Sequence, residues 1–207
     1  DLLLTRALVE PLSERQQRYV CALRDGGRHL LSLVDNILDT ARLSAQALEL
    51  NEEEIVLPAL AQSVTELLGA VATARGVTLT LKHKGDVPAV LADPQLLRQV
   101  LINLVSNAIK FSPAGDKVTV RIDLRARGEA RISVEDRGAG IPPSQIERVM
   151  QPFQSLKQPA GTVPQGTGLG LPLVKALVEM HEGRFQLLST EGRGTRAIVT
   201  LPAGRVL

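Results

Sequence analysis

The sequence predicts an α+β fold: a two-layer α/β sandwich, its mixed sheet covered on one face by helices, with an α-helical hairpin fragment in front. Three observations carry this. Beyond residue 55, alternating strand-like runs arrive in pairs with helix-like runs between them, which suits helices gathered on one face of a sheet. Residues 1–50 instead carry a heptad seam, Val20, Gly27, Val34 and Ala41 alongside Leu23, Leu30 and Ile37. The chain has 207 residues, 44% of them hydrophobic and 22% charged, enough to bury a core.

In order, DLLLTRALVE is a short apolar stretch ending before Pro11. PLSERQ opens a new helix, with Ser13 as N-cap and Glu14 near the positive helix end. A short helix end, a turn and a long helix make an antiparallel hairpin. So long a seam on one helix calls for partners, and two hairpins pairing give a four-helix bundle. The helix ends near Leu48, and NEEEIVLPAL crosses into a second unit, 55–207. There Leu57 to Arg75 reads as a helix stopped by Gly76. VTLTLKHKG reads as a strand with Val77, Leu79 and Leu81 on one face. Asp93 to Phe111 is a helix, with Asp93 as N-cap and Pro94 at its first position. KVTVRIDLRARGEARISVED makes two strands around an Arg-Gly-Glu turn, with Val118, Val120, Ile122 and Leu124 sharing a face, as do Ile132 and Val134. RFQLLSTEGRGTRAIVTLP is a second hairpin.

Several classes are excluded. No run of about eighteen apolar residues spans a membrane. Net charge is +2 with both signs intermixed, which gives no footprint for nucleic acid. Aromatics make up only 2% of the chain, which argues against a base-stacking surface. A lone Cys21 forms no internal disulfide, and with three scattered histidines it builds no metal centre. Cys21 is expected to be a small helix-packing residue in a reducing, cytoplasmic setting. No charged-then-apolar leader opens the chain, which is expected to begin inside a longer protein.

Three stretches carry chemistry. In NLVSNAIKF, Asn103 and Asn107 are four apart and point the same way. Lys110 joins that face, and Leu97, Leu101, Leu104 and Ala108 form the core stripe opposite. Two amides and a cation on one helix face can hold Mg²⁺ and phosphate oxygens. In EDRGAGIPPSQ, Asp136 ends a strand and Gly138 and Gly140 permit a tight turn beside Ile141. A carboxylate placed so can accept a hydrogen bond from an exocyclic amine such as adenine's. In GTVPQGTGLGLPLVKALVEMHEG, Gly166, Gly168 and Gly170 precede a helix beginning near Leu171, and Pro172 fits its first turn. Backbone N–H groups there form an anion cradle. Pro152 to Gln165 is either a mobile lid or plain disorder, with Phe153 anchoring its near end.

Taken in this order, the motifs resemble those of bacterial sensor histidine kinases, whose Bergerat-type ATP-binding fold is shared with gyrase, Hsp90 and MutL. The matching stretches are NLVSNAIKF (N box), DRGAGIP (first G box), QPF (F box), GTGLGL (second G box) and GRGT near Gly194–Thr195. The resemblance covers nearly the whole chain, with 1–50 a partial dimerisation and phosphotransfer hairpin and 55–207 the catalytic ATP-binding domain. It implies ATP and Mg²⁺ as cofactors. Asn107 would hold the metal, Lys110 the phosphates and Asp136 the adenine amine. Phe111, Gly138, Gly140, Ile141, Lys157, Gly166, Thr167, Gly168, Leu169, Gly170, Leu171 and Thr195 would complete the nucleotide contacts, with Lys157 to Thr167 as the lid. Hydrolysing relatives carry a Glu where this chain has Asn103. An amide takes no proton from water, so transfer to a separate nucleophile is expected, with Asn103, Asn107 and Lys110 as the catalytic group.

The phosphoacceptor of such kinases has an acidic neighbour and a following Thr/Asn-Pro. His29 is followed by Leu30 and no Thr-Pro, so it reads as a helix-surface residue; His83 and His181 read as structural. The acceptor is expected upstream of Asp1, which makes this chain a fragment that dimerises weakly alone. The implied partners are a response-regulator receiver domain and a second copy through the hairpin, with no nucleic acid, and a membrane only through a sensor region absent here. The competing reading is a pseudokinase that binds nucleotide or partners as a scaffold or allosteric switch. A serine kinase acting on an anti-anti-sigma partner ranks last, since it lacks the heptad helix at 13–48.

Overall fold

Local rules set each element of the structure, a computed structural model that describes residues 13, 15–21, 23, 26–27, 49–83, 85, 87–154 and 167–207. The chain divides into two compact units, 1–46 and 47–207. In the first, residues 15–21 are helical and Ser13 opens them. Its Oγ accepts from Gln16 N at 3.4 Å, while Gln16 Oε1 accepts from Ser13 N at 2.9 Å, a capping box. Tyr19 and Leu23 are exposed. His29 and the seam beyond Gly27 lie outside the described residues.

The second unit runs β1 (Glu53–Ile55), α1 (Leu57–Ala74), β2 (Thr78–His83), β3 (Val90–Ala92), α2 (Pro94–Phe111), β4 (Lys117–Leu124), β5 (Ala130–Glu135), α3 (Pro143–Val149), α4 (Gly170–Met180), β6 (Arg184–Thr190) and β7 (Gly194–Leu201). A 3₁₀ turn at Ala203–Arg205 closes it. Five strands form one mixed sheet in the order β2-β4-β5-β7-β6, with β2 parallel to β4 and the other pairs antiparallel. This is the mixed sheet with a helical layer that the pairing of strands predicts. Val118, Val120, Ile122, Ile132, Val134, Val199 and Leu201 are buried on the sheet face met by α1, α2 and α4. The other face carries Lys82, Arg121, Asp123, Arg131 and Arg196, with Arg131 paired to Asp123 at 2.9 Å and Arg196 to Glu135 at 2.8 Å.

Differences from the sequence reading are local. Leu124 shares the apolar face of β4 but lies at its end and is exposed. α4 begins at Gly170, one residue before the expected start. The pair β1–β3, with Glu53 opposite Ala92 and Ile55 opposite Val90, was not foreseen, because three residues are too few to show alternation. Nor was α3, a helix of 7 residues directly after the first glycine loop.

α2 begins as expected. Asp93 Oδ1 accepts from Gln95 N and Leu96 N at 2.9 and 3.0 Å, with Pro94 next. Asp93 Oδ2 also accepts from Asn51 N at 3.0 Å, so the cap ties down the segment entering β1. His181, fully buried after α4, joins the cluster. Its Nε2 accepts from Asp93 N at 3.0 Å and its Nδ1 lies 2.7 Å from Leu177 O. Arg205 completes it, donating to Glu52, to Leu91 O and to Glu182.

Candidate nucleotide site

One face of α2 is core: Leu97, Leu101, Leu104, Val105, Ala108 and Ile109 are buried. Asn103, Asn107 and Lys110 are half-buried on another face, as their spacing requires. Asn103 donates its Nδ2 to Gln99 O at 3.1 Å, which leaves Oδ1 as its outward atom. That oxygen meets the start of α4. A Cβ on Gly170 would stand 3.3 Å from Asn103 Oδ1 and 3.6 Å from Asn107 Nδ2. The second glycine loop thus brings a helix N-terminus against the two amides, and a side chain at residue 170 would crowd them. Lys110 follows one turn later. Burial lowers the pKa of its ammonium, and Arg75 adds to that, its guanidinium donating to Lys110 O at 3.1 Å. Lys110 Nζ lies 5.2 Å from the Phe111 ring centroid.

Asp136 stands just past β5 and is buried. Its Oδ1 accepts from Gly138 N at 2.8 Å and from Thr195 N at 3.1 Å. Its own N donates to Thr195 O at 2.9 Å. Burial pushes the carboxyl pKa up, the two amide bonds pull it back, and neighbouring Glu135 adds to the rise. Among the described residues Oδ2 has no partner, so the carboxylate keeps an acceptor for a ligand.

The first glycine loop is packed too closely for side chains. A Cβ on Gly138 would collide with Phe111 O at the end of α2. One on Gly140, at φ +69°, would collide with Thr190 O in the β6–β7 hairpin. The hairpin closes the loop from behind. Gly192 N donates to Ala139 O at 2.7 Å, and Ile141 N to Ser189 Oγ at 2.7 Å. In the second loop Thr167 Oγ1 accepts from Leu169 N at 3.2 Å, Leu169 is buried and Leu171 half-buried. Lys157 and Gly166 lie outside the described residues.

The structure therefore joins Asn103 and Asn107 to Gly170, Phe111 to Gly138, and Asp136 to Thr195. Sequence reasoning missed Ser189 and Arg75. Ser189 looks like any polar residue in an alternating strand, and Arg75 like an exposed helix end. Among the described residues no cluster of three His, Cys, Asp or Glu side chains could hold a metal ion, and no helix is long and apolar enough to cross a membrane. An acceptor carboxylate at one end and amides, a cation and a helix N-terminus at the other make an arrangement chemically able to hold an amine-bearing base with a phosphate tail.

A family profile described as histidine kinase-, DNA gyrase B- and HSP90-like ATPase matches residues 92–205, which include every one of these described contacts except Arg75. The chain belongs to this family. Its relatives place it on the histidine kinase branch, as a catalytic ATP-binding domain. It is 39% identical over 194 residues to the circadian input-output histidine kinase CikA of Synechococcus elongatus, covering 93% of this chain and 26% of that protein. It is 37% identical over 192 residues to the non-motile and phage-resistance protein of Caulobacter vibrioides, covering 91% of this chain and 23% of that one. The chain thus spans about a quarter of the length of these relatives. The crystal structure of full-length ShkA in complex with AMPPNP superposes with a TM-score of 0.79 at 34% identity, covering 92% of this chain and 39% of that one. The catalytic domain of histidine kinase ThkA superposes at 0.64 with 27% identity, covering 74% of this chain and 98% of that one.

Proposed function

We propose that this chain is the catalytic core of a two-component protein-histidine kinase. It binds Mg-ATP and passes the γ-phosphoryl to a histidine, from which an aspartate of a response-regulator receiver domain takes it. The observation that carries this is the contact of Asn103 and Asn107 with the N-terminus of α4. Two amides against a helix N-terminus support a phosphate cradle there, with an amide, not a carboxylate, at residue 103. Without a general base for water, the site supports transfer by position and charge alone. Asp136 Oδ2 takes the adenine amine, Thr195 and the Gly138–Ile141 loop line the base, and Lys110 and the Gly168–Leu171 turn hold phosphates.

The donor set suits a magnesium ion that would keep most of its waters, and the Asn107 amide oxygen would be its protein ligand. When bound, the ion neutralises phosphate charge. The chain's own part is to hold the β- and γ-phosphates in line with the incoming imidazole. That nitrogen forms the new N–P bond as the bond to the β-phosphate oxygen breaks and ADP leaves with the electron pair. The acceptor is another histidine than His181, which is fully buried in its two hydrogen bonds. In the full-length protein, the hairpin to which residues 1–50 contribute pairs with a second copy, and the core works in the cytoplasm, reaching a membrane only through a sensor region.

Calorimetric titration with ATP, with and without Mg²⁺, tests this beside Asn107→Ala. Magnesium-dependent binding that the variant loses, with no steady phosphate release, is the expected result. If the unaltered chain binds no ATP, the scaffold reading replaces the kinase. If it releases phosphate steadily, hydrolysis replaces transfer.

A further inference from the structure

Three side chains line up across three neighbouring strands at one end of the sheet. Glu135 pairs with Arg196, so Asp136 and Thr195 follow on the opposite, helix-covered face. Ser189 pairs with Thr195 on that same face. Ser189 Oγ makes three contacts, with Ile141 N at 2.7 Å, Gly194 O at 3.0 Å and Thr195 Oγ1 at 2.9 Å.

Counting protons fixes the direction of each. A serine hydroxyl has one proton and two lone pairs. A carbonyl only accepts, so the Ser189 proton goes to Gly194 O. The Ile141 N–H only donates, so it takes one Ser189 lone pair. The contact to Thr195 then has one possible sense: Thr195 donates, and Ser189 accepts with its second lone pair. The Thr195 proton is spent on the sheet side. What the half-buried Thr195 hydroxyl retains is acceptor capacity. Beside it Asp136 Oδ1 is occupied by two backbone amides and Oδ2 also only accepts.

We infer that Ser189 is a positioning residue that makes this wall of the nucleotide site acceptor-only, so that the site selects a base carrying an exocyclic amine over one that lacks it. This rests on the ATP-binding reading of the same site. Ser189 acts through Thr195 and Ile141 and need not touch the nucleotide. With Ser189 removed, the Thr195 hydroxyl is free to turn its proton to the neighbouring Asp136 Oδ2, the acceptor that the amine uses. A base that bears the amine then loses a bond, whereas one that lacks it loses nothing.

The test compares ATP with purine riboside 5′-triphosphate, which lacks the amine and keeps N1. Both are titrated into the 207-residue chain and its Ser189→Ala variant. The unaltered chain should prefer ATP, and in Ser189→Ala the ratio of the two affinities should fall roughly tenfold, the scale of one hydrogen bond. Ser189→Thr keeps the hydroxyl and should keep the ratio. Ser189→Cys fills the same space with a weakly bonding sulfur and serves if the alanine variant does not fold; it should lower the ratio too. In the nucleotide-free protein, the Ile141 amide should exchange with deuterium faster in Ser189→Ala. An equal loss of affinity for both nucleotides, with the ratio intact, makes Ser189 a merely structural residue and overturns the inference while leaving ATP binding standing. No ATP binding by the unaltered chain removes the nucleotide reading, and this inference with it.

Discussion

His181 makes the fold answerable to pH. It is wholly inaccessible to solvent, at the end of α4. Its Nδ1–H donates to Leu177 O, and its Nε2 must be unprotonated to accept from Asp93 N, at the cap of α2. The latch therefore joins the two helices that carry the glycine cradle and the asparagines. Burial lowers the imidazole pKa most, and Arg205 lowers it further. The bond to Leu177 and the charges of Asp93 and Glu52 oppose this without reversing it. The sign follows: the unfolded chain, with an ordinary value of about 6.5, binds the proton more readily than the folded one. Stability from this group is complete above that value and is lost as pH falls from there toward the depressed folded value. From pH 7.5 to 5.5 one proton taken up only on unfolding is worth at most about 1.4 kcal/mol. Urea unfolding at the two pH values should show that loss in the unaltered chain, and His181→Gln should lack it. Truncation is a separate and larger effect. His181→Ala leaves the buried Asp93 N–H without an acceptor and opens a cavity, together about 3–5 kcal/mol. A parallel pH dependence in the unaltered and Gln chains, or an alanine variant within about 0.5 kcal/mol of the parent, would refute the latch.

Three further outcomes are expected. Asp136→Asn removes a charge that burial already disfavours, so the melting temperature should hold or rise. ATP affinity should fall at least about tenfold with the lost charge-assisted bond, and calorimetry separates the two effects. Gly140→Ala would set a Cβ against Thr190 O at φ +69° and should cost about 2 kcal/mol or more; an unchanged thermal melt would contradict the close packing of loop on hairpin. Arg205→Ala should cost about 2–4 kcal/mol, because the side chain is only 10% exposed and bridges Glu52 and Glu182; urea unfolding measures it, and faster amide exchange at Glu53–Ile55 should accompany it.

What was legible in the sequence follows from the range of the interactions. α2 was legible because its signals are local: Asp93 before Pro94, then a core stripe at helical spacing with the two asparagines off it. The loop after Asp136 was legible because glycine is chemically distinctive, though the sequence did not say what each glycine makes room for. Gly138 accommodates a carbonyl of α2 and Gly140 one of a hairpin about fifty residues away, contacts that only the folded chain defines. Ser189 was invisible for the same reason, since its role lies in three partners drawn from the first glycine loop and the neighbouring strand. Arg205 and His181 gave no signal beyond their chemistry. Their partners lie 23 to 153 residues away for Arg205 and 88 for the bond that Asp93 N donates to His181.

The two ends of the site are built to different standards of rigidity. At the end proposed for the base, backbone groups of Asp136, Ala139 and Ile141 are all bonded to the β6–β7 hairpin, and the sheet holds that hairpin through six residue pairs between β5 and β7. Such a wall can read hydrogen-bond polarity, because its atoms cannot move to forgive a mismatch. At the end proposed for the phosphates, Asn103, Asn107 and Lys110 are fixed by α2, but among the described residues the backbone tie from the second glycine loop to the segment after α3 is one bond, Phe153 N to Gly168 O at 3.1 Å. Phe153 stands at φ +62° and 68% exposed, a conformation costly for a bulky aromatic residue and unrepaid by burial. A strained, lightly tied turn beside a rigid one suits a site that recognises its base before its phosphates are enclosed. Adenosine and ATP should then lose affinity together when Asp136 is altered, whereas Phe153→Gly, which relieves the strain, should change ATP binding and leave adenosine binding where it was. Equal effects of Phe153→Gly on both ligands would mean that the two ends are mechanically one.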